Sequence, residues 1–162
     1  MRPQGRNYVR GITQNTDILE PIYEFGSLQC GGKPELEDLR PLFKGKAYTG
    51  CDLRSGPGVD KLMNLEKIEL PDESVGTVIL VDTLEHVEDV PQAMREVHRI
   101  LKPHGIVIIT SVMLFPIHDF PSDYWRFTPA AFATLLSKYR FMSVEFDGDP
   151  KFPKGVYGFG IK

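Results

Sequence analysis

The runs Val78-Ile79-Leu80-Val81 and Val107-Ile108-Ile109 do most to restrict what this chain can fold into. Each is short, β-branched and apolar at consecutive positions. That pattern suits a strand buried on both faces, as in a parallel sheet with helices on either side. Between the runs, residues 91–101 carry Ala93, Met94, Val97, Ile100 and Leu101 at helical spacing, with Arg95, Glu96 and Arg99 between them. Pro91 suits a first helical turn, and Lys102-Pro103-His104-Gly105 ends the helix. Strand, helix, strand in this order is a βαβ unit with a right-handed crossover.

The alternation extends in both directions. Upstream, residues 22–26 and 47–53 read as strands, and 34–43 as a helix limited by Pro41. Residues 65–70 read as a third strand, after the turn Gly56-Pro57-Gly58 and before the turn Pro71-Asp72-Glu73. Downstream, Thr128 caps a predicted helix over 129–139. Residues 141–146 and 156–161 are two final strands, joined through 147–154 as an antiparallel hairpin. The expected fold is α/β: a doubly wound, seven-stranded, mostly parallel sheet with an antiparallel last strand. One domain over 1–162 is expected, with an N-terminal extension at 1–17 and a lid loop at 114–128.

Composition narrows the function classes. With 19 Lys and Arg against 22 Asp and Glu, the net charge is −3. That balance gives no basic footprint for nucleic acid. No apolar run approaches the length needed to cross a bilayer. Cys30 and Cys51 have neither pairing nor metal-ligand spacing, so a reduced, cytoplasmic protein without a bound metal is expected.

In a doubly wound sheet, ligands bind at the carboxyl ends of the strands, and four strand-end segments carry candidate chemistry. Glu24-Phe25-Gly26-Ser27, with Gly31-Gly32 beyond, can let backbone approach a ligand; a flexible loop explains it equally well. Asp52 can accept both hydroxyls of a ribose, although a turn-capping aspartate is the commoner use. Asp82-Thr83-Leu84-Glu85-His86-Val87 crowds titratable side chains into one loop, where His86 can serve as a general base or Glu85 and His86 can make structural hydrogen bonds. Residues 115–127 are aromatic and proline-rich. They either cover a pocket, offering His118, Asp123, Tyr124 and Arg126, or pack as core.

In this order, these residues resemble class I S-adenosylmethionine-dependent methyltransferases, nearest to the type 11 kind. The strongest match is Asp82-Thr83-Leu84-Glu85-His86-Val87 followed by Met94-Arg95-Glu96-Val97-His98-Arg99-Ile100-Leu101-Lys102-Pro103-His104-Gly105, similar to the family's "LEHV…E..RVLKPGG" signature. The likeness covers roughly residues 20–140. It implies the same seven-stranded fold and S-adenosyl-L-methionine as cofactor. It also implies cofactor contacts at Glu24, Gly26 and Ser27 in the first motif, Asp52 at the ribose, and Leu53 with Asn64 or Leu65 at the adenine. Asp82 and Thr83 would lie beside the methionine part. The first motif departs from the family's E-x-G-x-G-x-G after Gly26, and His104 replaces a common glycine.

The implied reaction transfers a sulfonium methyl to an acceptor, expected to be a small molecule, with alignment as the protein's main task. His86, His118 and Asp123 are the candidate bases. Tyr124, Trp125 and Arg126 are candidates for the acceptor pocket, Arg126 suiting an anionic acceptor. Two alternatives stay open: a methyltransferase-like binding or regulatory protein without catalysis, and a nicotinamide-dependent oxidoreductase, which the absence of G-x-G-x-x-G disfavours. The aromatics of the lid are compatible with a homodimer.

Overall fold

A computed structural model describes residues 1–118 and 122–162. The described residues form β1 (Ile22–Phe25), β2 (Tyr48–Asp52), β3 (Lys61–Leu62), β4 (Val75–Val81), β5 (Leu101–Val112), β6 (Phe141–Asp149) and β7 (Phe152–Ile161). The helices are α1 (Pro3–Asn15), α2 (Pro34–Glu37), α3 (Val90–Ile100) and α4 (Pro129–Leu135). The strands lie in one sheet in the order β3-β2-β1-β4-β5-β7-β6. β3 to β5 run parallel to one another, and β7 is antiparallel to both β5 and β6. This is the expected α/β architecture, including the antiparallel final hairpin, although its strands run on to Asp149 and from Phe152 into the expected connection 147–154, and the helix expected over 129–139 ends at Leu135.

The two apolar runs are the central strands, and every residue of β4 is buried. Side chains alternate across the sheet, so Val78, Leu80, Val107 and Ile109 join one core with Val90, Ala93, Met94 and Val97 of α3 and Phe132 of α4. Ile79, Val81, Ile106 and Ile108 join a second core, with Val9 of α1 and Phe43. Two helical layers therefore account for a strand that is apolar at every position. α3 begins with Asp89 accepting a hydrogen bond from the Gln92 amide, and α4 begins with Thr128 accepting one from Ala131.

Expectations for two upstream elements are corrected. The third strand is Lys61–Leu62, paired with Cys51 and Asp52, and not residues 65–70. Leu65 and Ile68 are instead buried beneath α3. There the Ile68 amide donates to Glu96 Oε2 at 2.9 Å, and Arg99 donates to the carbonyls of Ile68 and Leu70, both at 2.9 Å. Those side chains replace a strand ladder. The expected helix over 34–43 is broken into α2 and a 3-10 turn, Arg40–Phe43. Asp38, which accepts from the Arg40 amide at 3.0 Å, and Pro41 interrupt it. The 1–17 extension holds α1, whose buried Arg6 donates to the carbonyls of Leu36 and Asp38 and ties the helix to the segment after β1.

Candidate active site

The carboxyl ends of β1, β2, β4 and β5 open into a cavity of about 720 Å³. Of the sequence-predicted residues, Gly26, Ser27, Asp52, Leu53, Asn64, Leu65, Asp82, Thr83, His86, His118 and Tyr124 line it. Four do not. Glu24 is buried under the sheet end, and Asp123, Trp125 and Arg126 lie beyond the wall. Trp125 and Arg126 face a separate shallow groove with Val90 and Phe127. Part of the lid expected over 114–128 lies outside the described residues, at positions 119–121.

At the end of β1 the chain turns with Gly26 at φ +81°, a conformation that favours glycine. A Cβ there would stand 2.3 Å from Thr83 Oγ1. Thr83 is itself fixed, its hydroxyl 3.1 Å from the carbonyls of both Phe25 and Val81. Glycine thus opens a hollow between the first and third strand-end loops. The loop then folds back on β2: the amides of Gly26 and Ser27 donate to the Cys51 carbonyl at 2.9 and 3.1 Å, and Leu28 N lies 3.4 Å from Asp52 Oδ2. Asp52 also accepts from Arg54 N at 2.9 Å. Its carboxylate therefore caps its own turn while lining the cavity. Asn64 likewise accepts from Glu66 N at 2.8 Å.

Glu24 accepts from the Tyr48 hydroxyl at 2.5 Å. Burial is the main reason its pKa is raised from 4.5 to about 7, against the opposing hydrogen bond from Tyr48 and the positive charge of Arg40. On the opposite side, Asp82 (φ +49°) accepts from Thr110 Oγ1 at 3.0 Å and from the Arg2 amide at 3.1 Å. Met1 and Arg2 contribute to the wall, residues for which the sequence carried no signal because α1 brings them there from across the fold.

The 3-10 turn Leu84–His86 supplies the far wall. Glu85 is fully buried, with Oε2 accepting from Ser111 Oγ at 2.7 Å. Burial first, and the nearby Asp82 second, hold its carboxyl well above the ordinary range. His86 and His118 meet edge to face, with ring centroids 4.9 Å apart. Tyr124 and Trp125 are pinned over this turn: the Tyr124 amide donates to the Glu85 carbonyl at 2.7 Å and Trp125 Nε1 to the Val87 carbonyl at 2.8 Å. Asp123, a candidate base in sequence, has a buried side chain and is bidentate with Arg126 at 2.6 and 2.8 Å. The guanidinium holds its carboxyl below the usual carboxylate range. Asp123 and Arg126 thus satisfy each other and brace the segment.

A parallel sheet closed by one inserted antiparallel strand, with its cavity over the strand ends, is the architecture of class I methyltransferases. A S-adenosylmethionine-dependent methyltransferase from Archaeoglobus fulgidus shares it with a TM-score of 0.70 at 14% identity, over 97% of this chain and 94% of that one. One from Mesorhizobium loti gives 0.68 at 17% identity, over 94% and 96%. The 1,6-didemethyltoxoflavin-N1-methyltransferase of Burkholderia thailandensis, solved with 1,6-didemethyltoxoflavin and S-adenosylhomocysteine, gives 0.70 at 14% identity, over 99% and 79%. At such identities the likeness speaks for the fold. No curated protein matches the chain in sequence. Residues 28–109 match the family model described as a methyltransferase domain, and the chain belongs to that family. It is a S-adenosylmethionine-dependent methyltransferase, with S-adenosyl-L-methionine as cofactor. The glycine-lined hollow beside an acidic strand end fits that group.

Proposed function

We propose that this chain transfers the methyl group of S-adenosyl-L-methionine to a small-molecule acceptor bound in the strand-end cavity. The cavity itself carries the reading: one continuous space holds the Gly26 hollow, the Asp52 carboxylate and the pair His86 and His118. Gly26 and Ser27 would border the methionine part, with Asp82 and Thr83 opposite. Asp52 would receive the ribose hydroxyls, and Leu53, Asn64 and Leu65 would border the adenine. Glu24 would act from below, through the backbone of β1.

The cofactor supplies a methyl on a sulfonium, already bonded to a good leaving group. The protein's work is therefore alignment and exclusion of water. His86, His118 and Tyr124 face the acceptor, and a base, where the nucleophile needs one, comes from the two imidazoles. Asp123, Trp125 and Arg126 brace the covering segment. The acidic balance and the absence, among the described residues, of any helix long and apolar enough to cross a membrane favour a small cytoplasmic acceptor over nucleic acid or lipid.

Calorimetric titration with S-adenosylhomocysteine tests this reading. We expect micromolar binding that is lost in Asp52→Ala, with the melting temperature confirming that the variant is folded. No binding to the wild-type chain at millimolar ligand would overturn it.

A further inference from the structure

We propose that Glu85, His86 and His118 form a site for one divalent transition-metal ion at the acceptor end of the cavity. One ligand atom from each of the three lies within 4.8 Å of the others. Glu85 is fully buried, and its Oε1 has no hydrogen-bond partner among the described residues, although Oε2 is held by Ser111. A buried carboxylate oxygen left without a donor is unfavourable, and a cation is the partner it lacks.

The two histidines are prepared for ligation. His86 Nδ1 faces the Ser122 carbonyl oxygen. His118 Nδ1 lies 3.1 Å from the Pro116 carbonyl and 3.2 Å from Asp123 Oδ2. An oxygen acceptor at Nδ1 favours the tautomer with its proton there, leaving the Nε2 lone pair for a metal. Asp123 is in turn fixed by Arg126 and by the His118 amide, the latter at 2.8 Å. The Asp123–Arg126 pair thus positions a ligand. The sequence concealed this site because His118 is distant from Glu85-His86 along the chain and no ligand spacing announces it.

Two imidazoles and a carboxylate suit Zn²⁺ and its neighbours better than Mg²⁺. Three protein ligands also leave room in the coordination shell for an acceptor atom. Resting on the methyltransferase reading, this points to an oxygen nucleophile, whose hydroxyl proton is made more acidic by the ion and released to solvent. The oxygen then bonds to the methyl carbon as the carbon–sulfur bond breaks, with the electron pair staying on sulfur. The imidazoles then act as ligands, and acidification by the ion replaces the imidazole base of the metal-free reading.

The test is a titration of the full chain, stripped with a chelator, with Co²⁺ and Zn²⁺. Visible absorption of the Co²⁺ form distinguishes nitrogen and oxygen ligands from the exposed thiol of Cys30. One ion per chain is expected at micromolar or tighter affinity, without thiolate bands. His118→Ala and Glu85→Gln should each lose it, and Asp123→Asn should weaken it by about 10–100-fold. Thermal melts in parallel identify any variant that fails to fold; His118, on the covering segment, is the variant least exposed to that failure. Absence of binding, thiolate bands, or unchanged affinity in a folded His118→Ala protein would overturn the proposal. S-adenosylhomocysteine binding by the stripped chain separates the two readings. If it binds and metal does not, only the metal site falls; if metal binds and it does not, the methyltransferase reading falls.

Discussion

Glu24→Gln should remove a pH dependence of stability that one carboxyl builds into the fold. Glu24 is 3% exposed and held by Tyr48 at 2.5 Å. Its pKa rises from 4.5 to about 7 because burial penalises the charged form. The folded state therefore binds the proton more tightly than the unfolded chain. The stability this contributes is fully present below pH 4.5, declines as pH rises, and is lost once pH passes about 7. At about 1.4 kcal/mol per pH unit, the loss amounts to about 3 kcal/mol. For a domain of this size that is roughly 6–12 °C in melting temperature. Glutamine can still accept from Tyr48 but cannot ionise. Urea denaturation of both proteins at several pH values between 4.5 and 8 reads the effect. The variant should gain about 3 kcal/mol on the wild type across that range. Parallel stability curves would show that Glu24 ionises as easily in the folded protein as in the unfolded one, and would refute the reasoning.

Two further substitutions probe the cavity and the core. Gly26→Ala forces an L side chain to φ +81° against Thr83. It should cost about 1–2 kcal/mol in stability and weaken S-adenosylhomocysteine binding by at least about tenfold, read by calorimetry. Phe132→Ala empties a fully buried position beside Phe127 and should cost about 3–5 kcal/mol in urea unfolding; a smaller loss would mean that α4 collapses into the space.

Much of this fold was legible because hydrophobic burial writes itself into periodicity. The runs of β4 and β5 and the apolar stripe of α3 fall almost where the pattern puts them. That Asp52, Asp82 and His86 line the cavity was legible because each stands at a strand end or in the loop that follows one. What misled was apolar sequence buried by other means. Residues 65–70 look like a strand, yet Glu96 and Arg99 satisfy their backbone from α3. The true β3 is exposed at both residues and gives no hydrophobic signal. In the covering segment, residue type could not say which polar groups bind a ligand and which bind each other. Asp123 and Arg126 bind each other, and only their three-dimensional pairing reveals it.

The position of β7 between β5 and β6 has a consequence for assembly. Among the described residues β6 pairs with no strand but β7, so the edge of the sheet hangs on a segment that follows it in the chain. The hairpin is local and can form early, whereas the β5–β7 seam joins residues far apart in sequence and closes against a larger entropy of loop closure. Until β7 docks, β5 presents an open apolar edge with its amides and carbonyls unpaired, the kind of surface that recruits other chains. Protection against aggregation thus arrives with a single docking event, and any change that weakens the β5–β7 seam releases two strands at once.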